Sequence, residues 1–263
     1  MTPTTNQLAP NSRIKLGIDP TADSLHLGHL VLLRKLRQLQ EQGHTAVLVI
    51  GDFTATIGDP TGRKQSRPAT TQADIDRNSA ILVEQAKQFL LRDRLEVHFN
   101  STWLAPMTTE ELLKLANQFS VKQLIERRDF QQRQISVAEM LYPLMQGLDS
   151  AHLNINVELG GIDQKLNILT GRKLQKLLGQ EPQIAMLMPI LPGRNGKKMS
   201  KSGGNAILLS TPKAELWDQL RSTSDALVPT FFALLTDIEA LPADPVERQV
   251  LLANTLTPLI NHE

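Results

Sequence analysis

The segment His26-Leu27-Gly28-His29 places two imidazoles around a glycine at the predicted entrance of a helix. The first N–H groups of a helix lack intrahelical partners, and with the helix dipole they attract phosphate. Imidazole donors there can bind a polyphosphate, and the missing side chain at Gly28 lets a planar base or a ribose approach the backbone. Far along the chain, Gly193 to Gly204 combines glycines with the ammonium groups of Lys197, Lys198 and Lys201, with Met199 between them. Such a basic loop can close over a triphosphate and stabilise charge on departing pyrophosphate without any proton transfer. As bare patterns, the first segment also reads as a helix start with two exposed histidines, and the second as a solvated turn.

Tyr142, Gln146 and Asp149 are spaced by four and three residues, which puts them on one face of a helix. Leu141, Leu144, Met145 and Leu148 flank them, so the stripe suits polar groups looking into a pocket with apolar walls. A carboxylate in such a pocket can accept a hydrogen bond from a substrate hydroxyl and reject an analogue that lacks it. Gly51 to Arg67 forms a predicted strand-end loop with Lys64 in its basic stretch, in which Asp59 could hold an ammonium group and Arg63 and Arg67 a phosphate. Gly160-Gly161-Ile162-Asp163-Gln164 repeats the strand-glycine-helix order, with Asp163 placed for ribose hydroxyls. A wet helix face, a charged turn and a helix cap at Asp163 are the plainer readings of these three stretches.

Positioning these groups requires a particular order of elements. Arg13 to Asp19 reads as a strand, Leu27 to Gln42 as an amphipathic helix ended by Gly43, and Ala46 to Ile50 as a strand buried on both faces. A helix over Gln72 to Arg92 and a strand over Glu96 to Asn100 follow. Pro106 to Gln134 breaks the rhythm and reads as a helical insertion. Helix Ser136 to Leu153, strand Ile155 to Leu159, helix Gln164 to Leu178 and strand Ile184 to Met188 complete an alternation expected of an α/β fold, a Rossmann-like doubly wound parallel sheet. The chain is helical again after Leu216. The expected organisation is a catalytic domain over 1–225 with its insertion at about 104–135, and the beginning of a helical domain over 226–263.

The chain has 263 residues, long enough to bury one sizeable core and a small appendage. Its 28 basic and 27 acidic side chains nearly cancel, so an anionic partner must be met by local clusters. Without cysteine there are no disulfides or thiolate metal sites. The polar opening segment lacks the apolar centre of a secretion signal, and no apolar run is long enough to cross a bilayer. These features point to a cytoplasmic protein without a membrane association.

Together the motifs resemble those of class I aminoacyl-tRNA synthetases, and within them the bacterial-type tyrosyl-tRNA synthetases. KLGIDPTADSLHLGH, IGDFTATIGDPTGR, YPLMQGLDS, VELGGIDQKLNILTGRKLQ and the Lys198-Met199-Ser200-Lys201-Ser202 signature carry the resemblance, which runs from about Lys15 to Ser210. The tryptophanyl enzymes are the nearest competitor. The resemblance implies activation of tyrosine by ATP to tyrosyl-adenylate, with magnesium accompanying ATP and no metal site of the protein's own, then transfer to tRNA(Tyr). Carried over residue by residue, Thr21 and His26 would contact the leaving phosphates, His29 the nucleotide, and Lys198 and Lys201 the pyrophosphate, with Arg63 and Arg67 matching basic residues of the second loop. Gly28, Gly161, Asp163, Met199 and Lys201 would bind ATP, Gly161 and Asp163 at its ribose. Asp59, Tyr142 and Gln146 would hold the tyrosine ammonium, Asp149 the phenol, and Gln164 the carboxylate region.

Lys15 departs from the pattern, standing where part of the family has a tyrosine that contacts the phenol. The family also continues through a helical domain, of which 226–263 would be the beginning, into a small RNA-binding domain that is expected to be absent here, with weakened charging of tRNA. The family's dimers imply a homodimer formed through Pro106 to Gln134. The rival readings are a non-catalytic paralogue that binds RNA or a small molecule, and transfer of the activated group to an acceptor other than tRNA.

Overall fold

The computed structural model describes residues 8–61, 71–121, 134–199 and 204–261. Five parallel strands form one sheet in the order β3-β2-β1-β4-β5, where β1 is Arg13–Ile18, β2 Thr45–Ile50, β3 Leu95–Phe99, β4 Val157–Gly161 and β5 Ile184–Met188. This is the doubly wound α/β arrangement expected from the alternation of elements. The order reverses at β1, whose neighbours are β2 on one side and β4 on the other. In open parallel sheets ligands bind beyond the carboxyl ends of the strands at such a switch point.

Alternation along β1 builds two different environments. Ile14, Leu16 and Ile18 enter the main core with helices α1 (Leu27–Glu41) and α3 (Gln72–Lys87). Lys15 faces the opposite way, toward α6 (Val137–His152). Between α1 and α6 in the chain lie α2 (Thr54–Ile57), α4 (Ser101–Leu104) and α5 (Thr109–Ala116). Helix α7 (Lys165–Leu177) packs beside α6, with Leu174 joining Leu144, Met145 and Leu148 in a second apolar cluster. The last helices, α8 (Lys213–Arg221), α9 (Val228–Leu235) and α10 (Pro245–Asn261), bury Leu216, Phe231, Phe232 and Leu256 in the same cluster as α1.

Several boundaries differ from the sequence expectation. Helix α3 ends at Lys87, five residues before Arg92, because the chain turns to bury Phe89 and Leu90. Gln40 holds that turn: its amide donates to Leu91 O and Arg94 O at 2.9 Å, and its Oε1 accepts from Leu91 N at 2.8 Å. Strand β4 starts at Val157 and not at Ile155, since Asn154 takes φ 51 and Ile155 N still bonds to Ser150 O. Within the expected insertion, α5 is closed by a capping box of Thr108 and Glu111, while 122–133 lie outside the described residues.

Helices α6 and α7 cross closely because both carry glycine at the contact. A Cβ on Gly147 would lie 2.8 Å from Leu174 Cδ1 and 3.0 Å from the Cα and N of Gly171, so backbone would have to move. Gly147→Ala is therefore expected to lower the unfolding free energy by about 1–3 kcal/mol. Gly17→Ala, where an added Cβ meets nothing within 4 Å, should change it far less in the same urea titration.

Candidate active site

A cavity of about 910 Å³ opens at the carboxyl ends of the strands, over the switch point. Every described residue assigned a role from the sequence lines it. Thr21, His26, Gly28 and His29 contribute from the turn after β1 and the start of α1. Asp59 enters from the loop after α2, Tyr142, Gln146 and Asp149 from α6, and Gly161, Asp163 and Gln164 from the end of β4. Lys198 and Met199 close the far side. Arg63, Arg67 and Lys201 lie outside the described residues.

The first signature segment pairs in a short antiparallel bridge with residues 207–209, just beyond the basic loop. Leu27 N donates to Ile207 O at 3.0 Å and Leu209 N to Leu25 O at 2.9 Å. This pairing hangs the basic loop beside the start of α1. His26 caps that helix: its Nδ1 accepts from Gly28 N, and His29 Nδ1 accepts from His26 N, both at 3.1 Å. Burial and the nearby Lys198 charge lower the His26 imidazole to about 4. His29 is pushed well below its ordinary value by burial, then by His26 and Lys198. Both rings are therefore neutral near pH 7, and since each Nδ1 is an acceptor, each carries its proton on Nε2. The rings, 3.9 Å apart, thus offer a pair of neutral N–H donors at a helix N-terminus. Gly28 is required by this packing, because a Cβ would lie 2.9 Å from His26 Cε1.

Lys198 forms a close ion pair with Asp163, so the ammonium of the basic loop already touches the carboxylate that follows β4. The loop is anchored behind them by Asn205, whose amide donates to Asn195 Oδ1 at 2.7 Å and Lys198 O at 3.1 Å.

The opposite part of the cavity is a network of acceptors. Asp59 takes Gln164 Nε2 at 2.7 Å and Thr61 N at 2.9 Å, and Asn167 bridges Gln164 and Gln146 at 2.8 and 3.0 Å. The Tyr142 hydroxyl donates to Asp19 Oδ2 at 2.9 Å, and Thr54 Oγ1 to Asp19 Oδ1 at 2.8 Å. Burial and then the Asp19 charge raise the Tyr142 phenol well above its usual value, so it stays a donor. Asp149 accepts from Trp103 Nε1 at 2.9 Å and from Asn100 Nδ2 at 3.4 Å. Its burial lifts it to about 7, against the pull of Lys15, Trp103 and Asn100.

Sequence reasoning passed over several of these groups. Asp19, Thr54, Asn100, Trp103, Asn167 and Glu158 carry hydrogen bonds at the site. Asp19, the last residue of a predicted strand, was open to inference from its position. Trp103 and Asn167 were not, because they act through contacts between elements distant in sequence.

The matching of known families decides where such a site belongs. The family model described as tRNA synthetases class I (W and Y) matches residues 7–251. This chain is a member of that family. A tyrosine–tRNA ligase of Synechococcus sp. (strain JA-2-3B'a(2-13)) is 48% identical over 255 residues, 93% of this chain and 62% of the relative. One of Thermotoga maritima is 47% identical over 244 residues, 90% of this chain and 61% of the relative. The synthetase chain thus spans about three fifths of these relatives. Among solved structures, a C-terminally truncated mitochondrial tyrosyl-tRNA synthetase of Aspergillus nidulans aligns with a TM-score of 0.77 at 25% identity, covering 95% of this chain and 81% of that one. The tyrosyl-tRNA synthetase of Archaeoglobus fulgidus aligns at 0.79 with 22% identity, covering 95% and 88%, which shows the shared synthetase fold.

The histidine pair of this synthetase generates a test. A group held below its unfolded value gives stability that is complete above the unfolded value, about 6.5 for His26, and is lost as pH falls toward the folded value near 4. His26→Asn keeps a capping acceptor and removes the titration. Urea unfolding at pH 7 and pH 4.5 should show a smaller acid loss in His26→Asn than in the wild type.

Proposed function

We propose that this chain activates tyrosine with ATP to form tyrosyl-adenylate and pyrophosphate, then transfers the tyrosyl group to tRNA(Tyr). The observation that carries the reading is the polarity of one cavity. Neutral imidazole donors and Lys198 stand at a helix N-terminus, and a buried carboxylate, Asp149, waits among apolar side chains. The names of the bacterial relatives agree with it.

In this reading a carboxylate oxygen of tyrosine attacks the α-phosphorus of ATP, the bond to the β-phosphate oxygen breaks, and pyrophosphate leaves with the charge. The nucleophile is already ionised, so the protein supplies alignment and charge stabilisation and no general base. Thr21, His26 and Lys198 hold the leaving phosphates, with Arg63, Arg67 and Lys201 adding positive charge. His29, Gly28 and Met199 take the nucleotide, with Gly161 and Asp163 at its ribose. Asp59, Tyr142 and Gln146 hold the ammonium, Gln164 orients the carboxylate, and Asp149 accepts a hydrogen bond from the phenol hydroxyl. Magnesium enters with ATP, as part of the nucleotide substrate.

In the second step the terminal ribose hydroxyl of tRNA attacks the aminoacyl carbonyl and AMP departs. The same reading divides the chain into a catalytic unit over 1–225 and a helical unit over 226–263, and makes it a cytoplasmic homodimer through the 104–135 insertion. No helix among the described residues is long and apolar enough to cross a membrane.

Exchange of labelled pyrophosphate into ATP tests the reading. Tyrosine should support exchange, with phenylalanine and tryptophan near the blank. Lys198→Ala should lower kcat about 10²–10³-fold if its ammonium stabilises departing charge. Asp149→Asn should lower kcat/KM for tyrosine about 10–100-fold, the worth of a hydrogen bond to a charged group. Absence of exchange with any amino acid, from folded protein, would leave the non-catalytic paralogue instead.

A further inference from the structure

Among the described ion pairs, Lys15–Glu158 stands apart: the side chains are 0% and 2% exposed and the charges 2.9 Å apart. Burying two charges is costly, and an apolar pair of the same shape commonly serves stability as well or better. The position of the pair suggests what it is for. Strands β1 and β4 are paired only at Ile14 with Val157 and at Lys15 with Glu158. Beyond that register the strands part, and Glu158 lines the cavity that opens between them. Glu158 is thus part of the crevice floor, and Lys15 lies buried against it.

Lys15 commits its donors at this floor. Its Nζ contacts Gln146 O at 3.0 Å and Ser150 Oγ at 2.6 Å as well as Glu158. Glu158 in turn accepts from Gln146 Nε2 at 2.9 Å and Ser150 Oγ at 3.1 Å, and from Gln183. The ammonium therefore grips α6 on both sides of Asp149 in sequence. We propose that Lys15 is a specificity-determining positioning residue, which through Glu158 and α6 fixes the crevice floor so that Asp149 serves as the acceptor for a phenolic hydroxyl. This deepens the tyrosine reading above and rests on it.

The electrostatics agree with the geometry. The groups acting on Asp149 are Lys15 from β1, Glu158 from β4, Trp103 from α4 and Asn100 from the turn after β3. Lys15 is the strongest of the groups that hold Asp149 ionised against its burial, while Glu158 opposes it more weakly. Removing both charges together should therefore favour the protonated carboxyl, which is a poorer discriminator between a phenol and a bare ring.

Lys15→Met alone would leave Glu158 buried and unpaired, so the decisive variant is the neutral double, Lys15→Met with Glu158→Gln. The measurements are tyrosine binding by calorimetry, kcat/KM for tyrosine in pyrophosphate exchange from pH 5.5 to 8.5, and the tyrosine-to-phenylalanine ratio. In the double variant the acid limb should move upward by about half a pH unit or more. The preference for tyrosine should fall about tenfold. An unchanged limb and an unchanged preference in the folded double variant would overturn the inference alone. Wild-type protein that binds no tyrosine at any pH would overturn the tyrosine reading along with it.

Discussion

The parting of β1 from β4 is the constraint on which the site depends. A parallel pair that stayed in register would carry backbone hydrogen bonds up to the carboxyl ends of the strands and make the crevice shallower. Here two residues of pairing hold the strands together, and everything past Lys15 and Glu158 opens. Polar side chains of α2, α6 and α7 crowd toward the gap. Asp19, at the end of β1, is held by Thr54 of α2 and Tyr142 of α6, so both helices are tied to the lip of the opening.

The cavity that results separates two kinds of charge chemistry. On the side of α1, desolvation makes histidines neutral and the helix start supplies donors, which suits a polyanion. Around Asp149, the same desolvation works against a carboxylate, and only the donors Trp103 and Asn100 and the ammonium of Lys15 counter it. One physical effect, removal from water, thus prepares donors at one place and a strained acceptor at another. The two environments lie side by side in one cavity.

Glycine contributes through contact more than through conformation. Gly147 and Gly171 let α6 and α7 approach to backbone distance, which brings Gln146 and Asn167 within 3.0 Å of each other. At Gly51 a Cβ would sit 2.0 Å from Asp19 Oδ1, so the bond between Thr54 and Asp19 has space only because that residue has no side chain.

From sequence alone, the alternation of elements, the parallel doubly wound sheet and the signature segments were legible, because hydrophobic period and local motif chemistry are properties of short stretches. The polar stripe of Tyr142, Gln146 and Asp149 was visible for the same reason, as a helical spacing. Element ends were less so: α3 stops early because Gln40, from α1, satisfies the backbone at Leu91 and Arg94, a contact across more than fifty residues. Lys15 read as a departure from a family pattern, with nothing to say where its charge goes. Only the tertiary structure pairs it with Glu158, sets Trp103 against Asp149 and brings Lys198 to Asp163, since these depend on register between strands and on packing between elements that no local pattern encodes.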